Sequence, residues 1–220
     1  MSRVAIVGAG LSGLVTARSL SEIAEVTVFE KGRGAGGRIA TRYAGDFEFD
    51  HGAQFFTART AAFRKFLQPL LEDGIVADWP ANFAQLDRDR ITELRSWGES
   101  YPHFVGTPRM NRVGKHLAVG LDIRFETTVA RIARDDEQWT LFDAADNQLG
   151  RFDWLVLTAP APQTKMLAGD FPEVVALCEG RAMRACFAMM LGFAEPLELT
   201  WQAALVHSAD ISWMSVNSSK

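Results

Sequence analysis

The sequence predicts an α/β fold that begins with a parallel strand–helix–strand unit. Two apolar runs, Val4–Val7 and Val26–Phe29, have the length and composition of buried strands. Between them lie a glycine-rich turn, Gly8–Gly13, and a stretch of helical periodicity that starts at Leu14. A strand, a glycine turn, a helix and a second strand are typical of the βαβ unit of parallel sheets.

The three glycines of the turn have the G-x-G-x-x-G spacing of dinucleotide-binding turns. The first permits the sharp turn, the second lets a pyrophosphate approach the backbone, and the third allows close helix packing. The helix directs its free N–H groups and positive dipole end at the phosphates, and an acidic residue after the second strand accepts hydrogen bonds from a ribose diol. The predicted dinucleotide-binding residues are therefore Gly8, Ala9, Gly10, Leu11, Ser12, Gly13 and Glu30. The alternative is a βαβ unit without a ligand.

A second glycine cluster follows Glu30 directly, in the sequence KGRGAGGR over residues 31–38. Its glycines permit positive φ and close approach to a ligand, and the guanidinium of Arg38 suits phosphate oxygens. An NAD-dependent dehydrogenase would begin its next helix here and has no use for such a cluster. The alternative is a flexible surface loop with scattered positive charge.

Composition limits the remaining functional classes. The chain has 220 residues, 48% of them hydrophobic, and a formal net charge of −4, which allows one large domain or two small ones. It has no lysine- or arginine-rich block, so we expect no nucleic-acid partner, and no apolar run approaches membrane-spanning length. Cys178 and Cys186 have no metal-binding spacing and are expected to be core residues. The first strand begins almost at Met1, which leaves no room for a signal peptide, so we expect a cytoplasmic protein.

The two glycine clusters, with Glu30-Lys31 between them, resemble the FAD-binding signature of amine oxidase and glutathione-reductase-like flavoproteins. Further segments resemble the renalase-like branch of these flavoproteins, namely FEFDHGAQFFT at 47–57, Trp97 with VGTPRMN at 105–111, LVLTAPAPQ at 155–163 and ISWMSVNSSK at 211–220. Arg109 stands where that branch usually has a glycine. The resemblance also implies that the chain stops before a C-terminal third of the family's usual length.

The resemblance implies a non-covalently bound FAD. The implied cofactor-binding residues, besides Gly8–Gly13 and Glu30, are Lys31, Gly37, Arg38, Gly52, Ala53, Gln54, Phe55 and Val129. The backbone of Val129 would read the adenine edge. Gln54 and Phe55 would lie near the isoalloxazine ring and shape the site rather than transfer protons. The resemblance identifies no catalytic residue in this chain, and no metal is expected.

The resemblance further implies an oxidoreductase that returns misreduced isomers of NAD(P)H to NAD(P)+ and passes the electrons to O2, giving hydrogen peroxide. Its partners would be a dihydropyridine nucleotide, or an amine, and O2. Two alternatives stay open: a flavin amine oxidase, which shares the scaffold, and a non-catalytic FAD-binding module.

We predict a three-layer, Rossmann-like FAD-binding domain formed by residues 1–75 and 105–160. A second, mostly antiparallel β-sheet substrate domain would comprise residues 76–104 and 161–220. Helical patterns span residues 60–71, 109–119 and 163–167. Strand patterns span residues 75–79 and 91–94 as one hairpin, then 122–126, 129–134, 139–142, 152–157, 186–193, 203–207 and 211–216. The aromatic residues Trp79, Phe83 and Trp97 could form a wall of the flavin site or simply pack in a core.

Overall fold

The computed structural model describes residues 1–97, 102–135 and 137–220. The chain divides into two compact units. The first comprises Met1–Arg38 and Gly114–Phe187, and the second comprises Ile39–Val113 and Ala188–Lys220. These boundaries separate the parts of the chain that pack within themselves. They differ from the predicted FAD-binding domain of residues 1–75 and 105–160, which groups residues by the ligand they are expected to bind. The assignment of a cofactor domain and a substrate domain stays a prediction.

The helices are short, with seven to twelve residues each. They are α1 (Leu11–Leu20), α2 (Ala61–Glu72), α3 (Asn111–Ala118), α4 (Ala161–Leu167) and α5 (Pro172–Cys178). The side chain of Thr60 caps α2 by accepting a hydrogen bond from the Phe63 N–H, as a threonine at this position is expected to do.

The strands are mostly three to six residues long. They are β1 (Arg3–Val7), β2 (Glu25–Phe29), β3 (Thr41–Ala44), β4 (Phe47–Asp50), β5 (Phe56–Thr57), β6 (Val76–Asp78), β7 (Asn82–Asp87), β8 (Arg90–Ser96), β9 (His103–Gly106), β10 (Asp122–Arg124), β11 (Arg131–Arg134), β12 (Trp139–Phe142), β13 (Gln148–Phe152), β14 (Trp154–Leu157), β15 (Ala203–His207) and β16 (Trp213–Ser215).

The first unit is built on a four-stranded parallel sheet in the order β10-β2-β1-β14. Ala5, at the centre of β1, is opposite Thr27 on one side and Leu155 on the other. Because all four strands run in the same direction, their carboxyl ends lie at one edge of the sheet. The first glycine turn leaves β1 at this edge, which is where ligands bind in open parallel sheets.

Two further layers cover the faces of this sheet. Helix α1 contacts β1 and β2, and the antiparallel sheet β11-β12-β13 packs through a shared apolar cluster. In that cluster the rings of Phe29 and Phe152 meet edge to face, with centroids 5.8 Å apart. The other buried members are Ala5, Val129, Ile132, Leu141 and Ala168. The predicted three-layer α/β architecture is therefore confirmed.

The second unit contains three small sheets. One has the order β16-β15-β7-β8 and is antiparallel except where β15 runs parallel to β7. The others are the pair β3-β4 and the antiparallel sheet β5-β9-β6. Mostly antiparallel pairing agrees with the predicted fold class.

The predicted hairpin between residues 75–79 and 91–94 is wrong. Strand β6 pairs with β9, whereas β8 forms its hairpin with β7. The connection is a tight turn at Arg88-Asp89, in which Arg88 has a φ of 55°. The polar run LDRDR hid this turn, because its first two residues belong to β7 and its last belongs to β8.

The predicted buried strand at residues 186–193 is also wrong. This segment has no assigned strand, and the side chain of Phe187 is 97% exposed. Cys186 is exposed and Cys178 is half-buried, so Cys186 does not fill a core. An apolar run indicates that a segment suits a strand, but a strand forms only where a neighbouring strand offers hydrogen-bonding partners.

Two smaller differences affect the first unit. The single strand predicted over 152–157 is two strands, β13 and β14, which Asp153 separates. Its carboxylate accepts a hydrogen bond from the Arg3 N–H at 2.7 Å. Helix α5 was not predicted, although Pro172 lies at its first residue, as is common.

Candidate dinucleotide-binding site

The first glycine loop, which we define as Gly8–Gly13, has a backbone that only glycine accommodates at two positions. Gly8 has a φ of 108°, which is in the region that favours glycine. A Cβ atom placed on Gly13 would lie 1.9 Å from the carbonyl oxygen of Gly8. The turn and the start of α1 are therefore in direct backbone contact, as the third glycine of the pattern predicts.

Thr158, immediately after β14, supports this loop. Its hydroxyl lies 2.9 Å from the carbonyl oxygen of Val7 and 3.1 Å from that of Gly8, to which it donates. The same oxygen is 2.9 Å from the Cβ positions built on both Gly8 and Gly13. The sequence indicated that this strand ends at the cofactor edge, but the role of the hydroxyl could not be read from it.

The position of Gly10 differs from that of its neighbours, because a Cβ built there meets no atom within 4 Å. Gly10 is the N-cap of α1 and provides no side-chain hydrogen bond to the first turn. The first hydrogen bond of the helix runs from Leu14 N to Gly10 O, and Leu11 and Ser12 are exposed. Open space beside an uncapped helix start provides what a pyrophosphate needs.

The second glycine loop, defined as Lys31–Arg38, lies against the first. The Gly36 N–H donates to the Ala9 carbonyl at 2.8 Å, and Gly36 forms a parallel bridge with Gly10. A Cβ on Gly37 would lie 3.2 Å from the Cα of Gly10. The structure therefore places the two glycine clusters side by side. Lys31 and Arg38 are exposed, and their predicted phosphate contacts stay predictions.

Gly114, within α3, contributes to the same packing and was not among the predicted site residues. A Cβ on Gly114 would lie 2.6 Å from the Cα of Gly36. A glycine inside a helical pattern often marks close packing, so this signal was present in the sequence.

Glu30 follows β2 directly, and both of its carboxylate oxygens accept backbone hydrogen bonds. Oε2 accepts from the Ala9 N–H at 2.8 Å, and Oε1 accepts from the Gly32 N–H at 2.7 Å. The sequence predicted a ribose contact for this carboxylate but did not predict these two contacts.

The segment before β11 lies beside the end of β2. The Thr127 N–H donates to the Glu30 carbonyl, and the Glu126 N–H donates to the Gly32 carbonyl, both at 3.0 Å. Glu126 has a φ of 51°. Val129 lies just beyond, with its side chain buried in the core cluster of this unit. Its predicted adenine contact stays a prediction.

The remaining predicted site residues, Gly52, Ala53, Gln54 and Phe55, belong to the second unit. The side-chain amide of Gln54 has four hydrogen-bonding contacts. Its nitrogen donates to the carbonyls of Asp50 and Gly52. Its oxygen accepts from the Ser215 hydroxyl at 2.7 Å and the Lys220 ammonium at 2.8 Å. These contacts use the full capacity of a primary amide.

A buried ion pair lies next to Gln54. The Lys220 Nζ is 3.6 Å from Asp50 Oδ2, and both side chains are almost fully buried. Burial lowers the pKa of Lys220 below its ordinary value, against the opposing attraction of Asp50. The other carboxylate oxygen, Asp50 Oδ1, accepts from the Thr41 hydroxyl at 2.7 Å and the Met110 N–H at 3.1 Å. Lys220 ends the segment ISWMSVNSSK, but the sequence predicts no role for it.

Several aromatic residues of the second unit pack around Phe55. Phe55 lies 5.0 Å from Trp97 and 5.7 Å from Trp213, measured between ring centroids. Trp79 and Phe83 are buried. Of the two alternatives for Trp79 and Phe83, a wall of the flavin site or packing in a core, the structure agrees with packing in a core.

The described part of the chain lacks two further features. In residues 1–97, 102–135 and 137–220, His, Cys, Asp and Glu side chains form no group of three or more that could hold a metal ion. Within the same ranges, no helix has the length and apolar character needed to cross a membrane.

Sequence comparison relates the chain to known proteins. Residues 6–70 match the family described as NAD(P)-binding Rossmann-like domain. The chain is 28% identical to renalase of Mus musculus over 189 residues, a match that covers 80% of this chain and 52% of renalase. The chain therefore spans about half the length of this curated relative.

Structural comparison agrees on the fold. The chain is similar to the crystal structure of "Putative protoporphyrinogen oxidase" from Exiguobacterium sp. 255-15, with a TM-score of 0.68 and 14% sequence identity. The match covers 99% of this chain and 74% of that one. With the parallel sheet and the glycine loops, these comparisons give the chain a Rossmann-like domain within an overall fold similar to that of this crystal structure.

Proposed function

We propose that the chain binds FAD non-covalently and belongs to a renalase-like oxidoreductase that returns misreduced isomers of NAD(P)H to NAD(P)+. The observation that carries the proposal is the open space at Gly10 beside the uncapped start of α1. The similarity to renalase supports the substrate class. The proposal includes a cytoplasmic location, where both free cysteines would stay reduced.

The residues of the first unit fit the ADP half of FAD. The N–H groups at the start of α1 would donate to the pyrophosphate, and the positive end of the helix dipole would favour its charge. Glu30 would accept from the ribose diol, since a carboxylate has about four lone-pair sites and two are used here. Arg38 and Lys31 would screen the phosphate charge, and the backbone of Val129 would meet the adenine edge.

A bound FAD would supply the redox chemistry by which a hydride from a dihydropyridine, together with a proton from solvent, reduces O2 to hydrogen peroxide. The chain's own residues would bind FAD and orient its ring. Gly52, Ala53, Gln54 and Phe55 would shape the ring site, and Gln54 would do so through the backbone that it holds in place. No side chain of this group is required to move a proton, because a dihydropyridine is already an activated hydride donor.

A matched pair of variants tests the cofactor site. Gly10→Ala places a methyl group in the open space without touching the protein, so we expect a melting temperature near that of the wild type and at least a tenfold loss of FAD affinity. Ser19→Ala, an exposed change at the far end of α1, is the control. Equal FAD affinity in the Gly10→Ala variant and the wild type would contradict the proposal.

A second experiment tests the substrate class. The FAD-loaded protein is mixed without oxygen with 6-dihydro-NAD, with α-NADH, or with an amine, and the flavin absorbance is followed. Rapid bleaching by the dihydropyridines supports the proposal, and bleaching by amines alone favours an amine oxidase. A flavin that no donor bleaches would point to a non-catalytic FAD-binding module.

A further inference from the structure

We infer that Glu30 is a positioning residue, which holds the two glycine loops in their nucleotide-binding shape before any nucleotide arrives. Its two oxygens accept from the Ala9 N–H at 2.8 Å and the Gly32 N–H at 2.7 Å. These amides belong to different loops, so one carboxylate connects both. Hydrogen bonds from backbone amides to an ionised carboxylate are stronger than those between neutral groups.

The connection reaches Ala9, the residue that precedes the open space at Gly10. Ala9 is fully buried, its N–H donates to Glu30, and its carbonyl accepts from the Gly36 N–H at 2.8 Å. Glu30 therefore holds the Gly8–Ala9 peptide and Gly36 holds the Ala9–Gly10 peptide, so Ala9 is fixed on both sides. Glu30 therefore acts on the phosphate end of the site through Ala9, without touching a phosphate.

The second loop is held by the same carboxylate and by its neighbours. The Gly32 carbonyl accepts from the Glu126 N–H at 3.0 Å, and the Glu30 carbonyl accepts from the Thr127 N–H at the same distance. The loop is thus fixed at Gly32 by Glu30 and at Gly36 by Ala9. A loop with four glycines among eight residues loses much conformational entropy on ordering, and these contacts offset part of that cost.

A ribose contact and this positioning role are compatible. Each carboxylate oxygen accepts one backbone hydrogen bond and keeps capacity for another. A glutamine cannot replace the carboxylate, because its nitrogen would face a backbone N–H with no acceptor between them. The positioning role is a property of the ligand-free chain, and its effect on nucleotide affinity rests on the proposed function.

The first experiment measures amide hydrogen exchange by NMR in the ligand-free chain. In Glu30→Gln, we expect exchange at Ala9 or Gly32 to be roughly ten times faster than in the wild type, since one of the two amides loses its acceptor. The amide of Val28 in β2 should be unchanged. Glu22→Gln, which removes the same charge from an exposed site, is the control. Equal exchange at Ala9 and Gly32 in Glu30→Gln and the wild type would overturn the inference.

The second experiment needs no variant, so it holds even if Glu30→Gln fails to fold. During an acid titration of the wild-type chain, the amide proton shifts of Ala9 and Gly32 should follow the side-chain carboxyl carbon of Glu30. Amide shifts that are independent of that carbon would overturn the inference.

Affinity measurements with ADP and FAD then separate the inference from the proposed function. A wild-type chain that binds neither nucleotide, while Ala9 and Gly32 follow Glu30, contradicts the proposed function and leaves the positioning role intact. If Glu30→Gln speeds exchange at Ala9 or Gly32 but binds the nucleotides as tightly as the wild type, the link between the positioning role and nucleotide affinity is overturned.

Discussion

Gly10 and Gly13 are three residues apart, yet an added methyl group has a different consequence at each. At Gly13 the methyl carbon would lie 1.9 Å from the Gly8 carbonyl oxygen. We expect Gly13→Ala to destabilise the chain by about 2 kcal/mol or more, because backbone must move and the carbonyl is not a flexible group. Urea denaturation of the ligand-free chain checks this. A stability equal to that of Gly10→Ala would show that the loop relaxes freely.

A second prediction at the residue scale concerns Glu126, whose φ of 51° is unfavourable for a residue with a Cβ. Glycine adopts this conformation without strain, so we expect Glu126→Gly to be neutral or to stabilise the chain by up to about 1 kcal/mol. Glu126→Ala should be less stable than Glu126→Gly. The midpoints of thermal unfolding compare the two variants, and the opposite order would contradict the assignment of strain.

At the scale of elements, the buried pair Asp50 and Lys220 connects β4 to the segment that follows β16. Removing one partner leaves a buried charge without its counter-ion, so we expect Lys220→Met to cost about 3–5 kcal/mol. The double variant Asp50→Asn with Lys220→Met should recover part of this loss. A double-mutant cycle on the free energy of unfolding measures the coupling, and strictly additive effects would contradict the pairing.

The pH dependence of Lys220 has a definite sign. Burial lowers its pKa in the folded chain from 10.5, so the unfolded chain binds more protons at alkaline pH below 10.5. The contribution of this group to stability therefore increases as pH rises towards 10.5 and is lost as pH falls through the folded pKa. We expect the difference in unfolding free energy between wild type and Lys220→Met to grow over this window. A difference that is independent of pH would contradict the effect of burial.

The elements also show which parts of the fold the sequence could predict. The first unit was predictable because strand, turn and helix follow one another in β1, α1 and β2, and each signal is local. Helix α2 was predictable from its apolar spacing. The partner of β6 was not predictable, because strand pairing depends on contacts between residues that are far apart in the sequence.

The candidate site likewise contains residues that the sequence could predict and residues that it could not. The glycines and Glu30 follow from spacing, since each acts through its own backbone or carboxylate. The supporting contacts from Thr158 and Gly114 come from residues more than 70 positions away, and no local pattern indicates which residue they meet. The two hydrogen bonds of the Glu30 carboxylate depend on the path of both loops, which periodicity does not describe.

At the scale of the whole molecule, the segment between residues 186 and 199 carries several exposed apolar side chains. Phe187 is 97% exposed, and Met189, Leu191, Phe193 and Leu197 are each more than half exposed. Exposed apolar side chains favour association when they lie together at a surface. We expect Phe187→Lys to change the free energy of unfolding by less than about 0.5 kcal/mol, because an exposed ring contributes little packing.

The same variant should bind less of a hydrophobic dye and stay monomeric to a higher concentration, which dye fluorescence and light scattering measure. Lys165→Arg, a conservative change in the first unit, is the control. A large loss of stability in Phe187→Lys would show that the ring is packed.

The amide of Gln54 has one more consequence for recognition. Its two donors and its acceptor are already committed to Asp50, Gly52, Ser215 and Lys220. A molecule that approaches residues 52–55 therefore meets peptide groups and the Phe55 ring. The Gln54 amide has no free donor or acceptor with which to hydrogen-bond to that molecule. Selectivity for a ligand at residues 52–55 would come from the shape of the site and from its backbone polar groups. These residues would therefore accept flat, apolar ligands that carry different polar substituents.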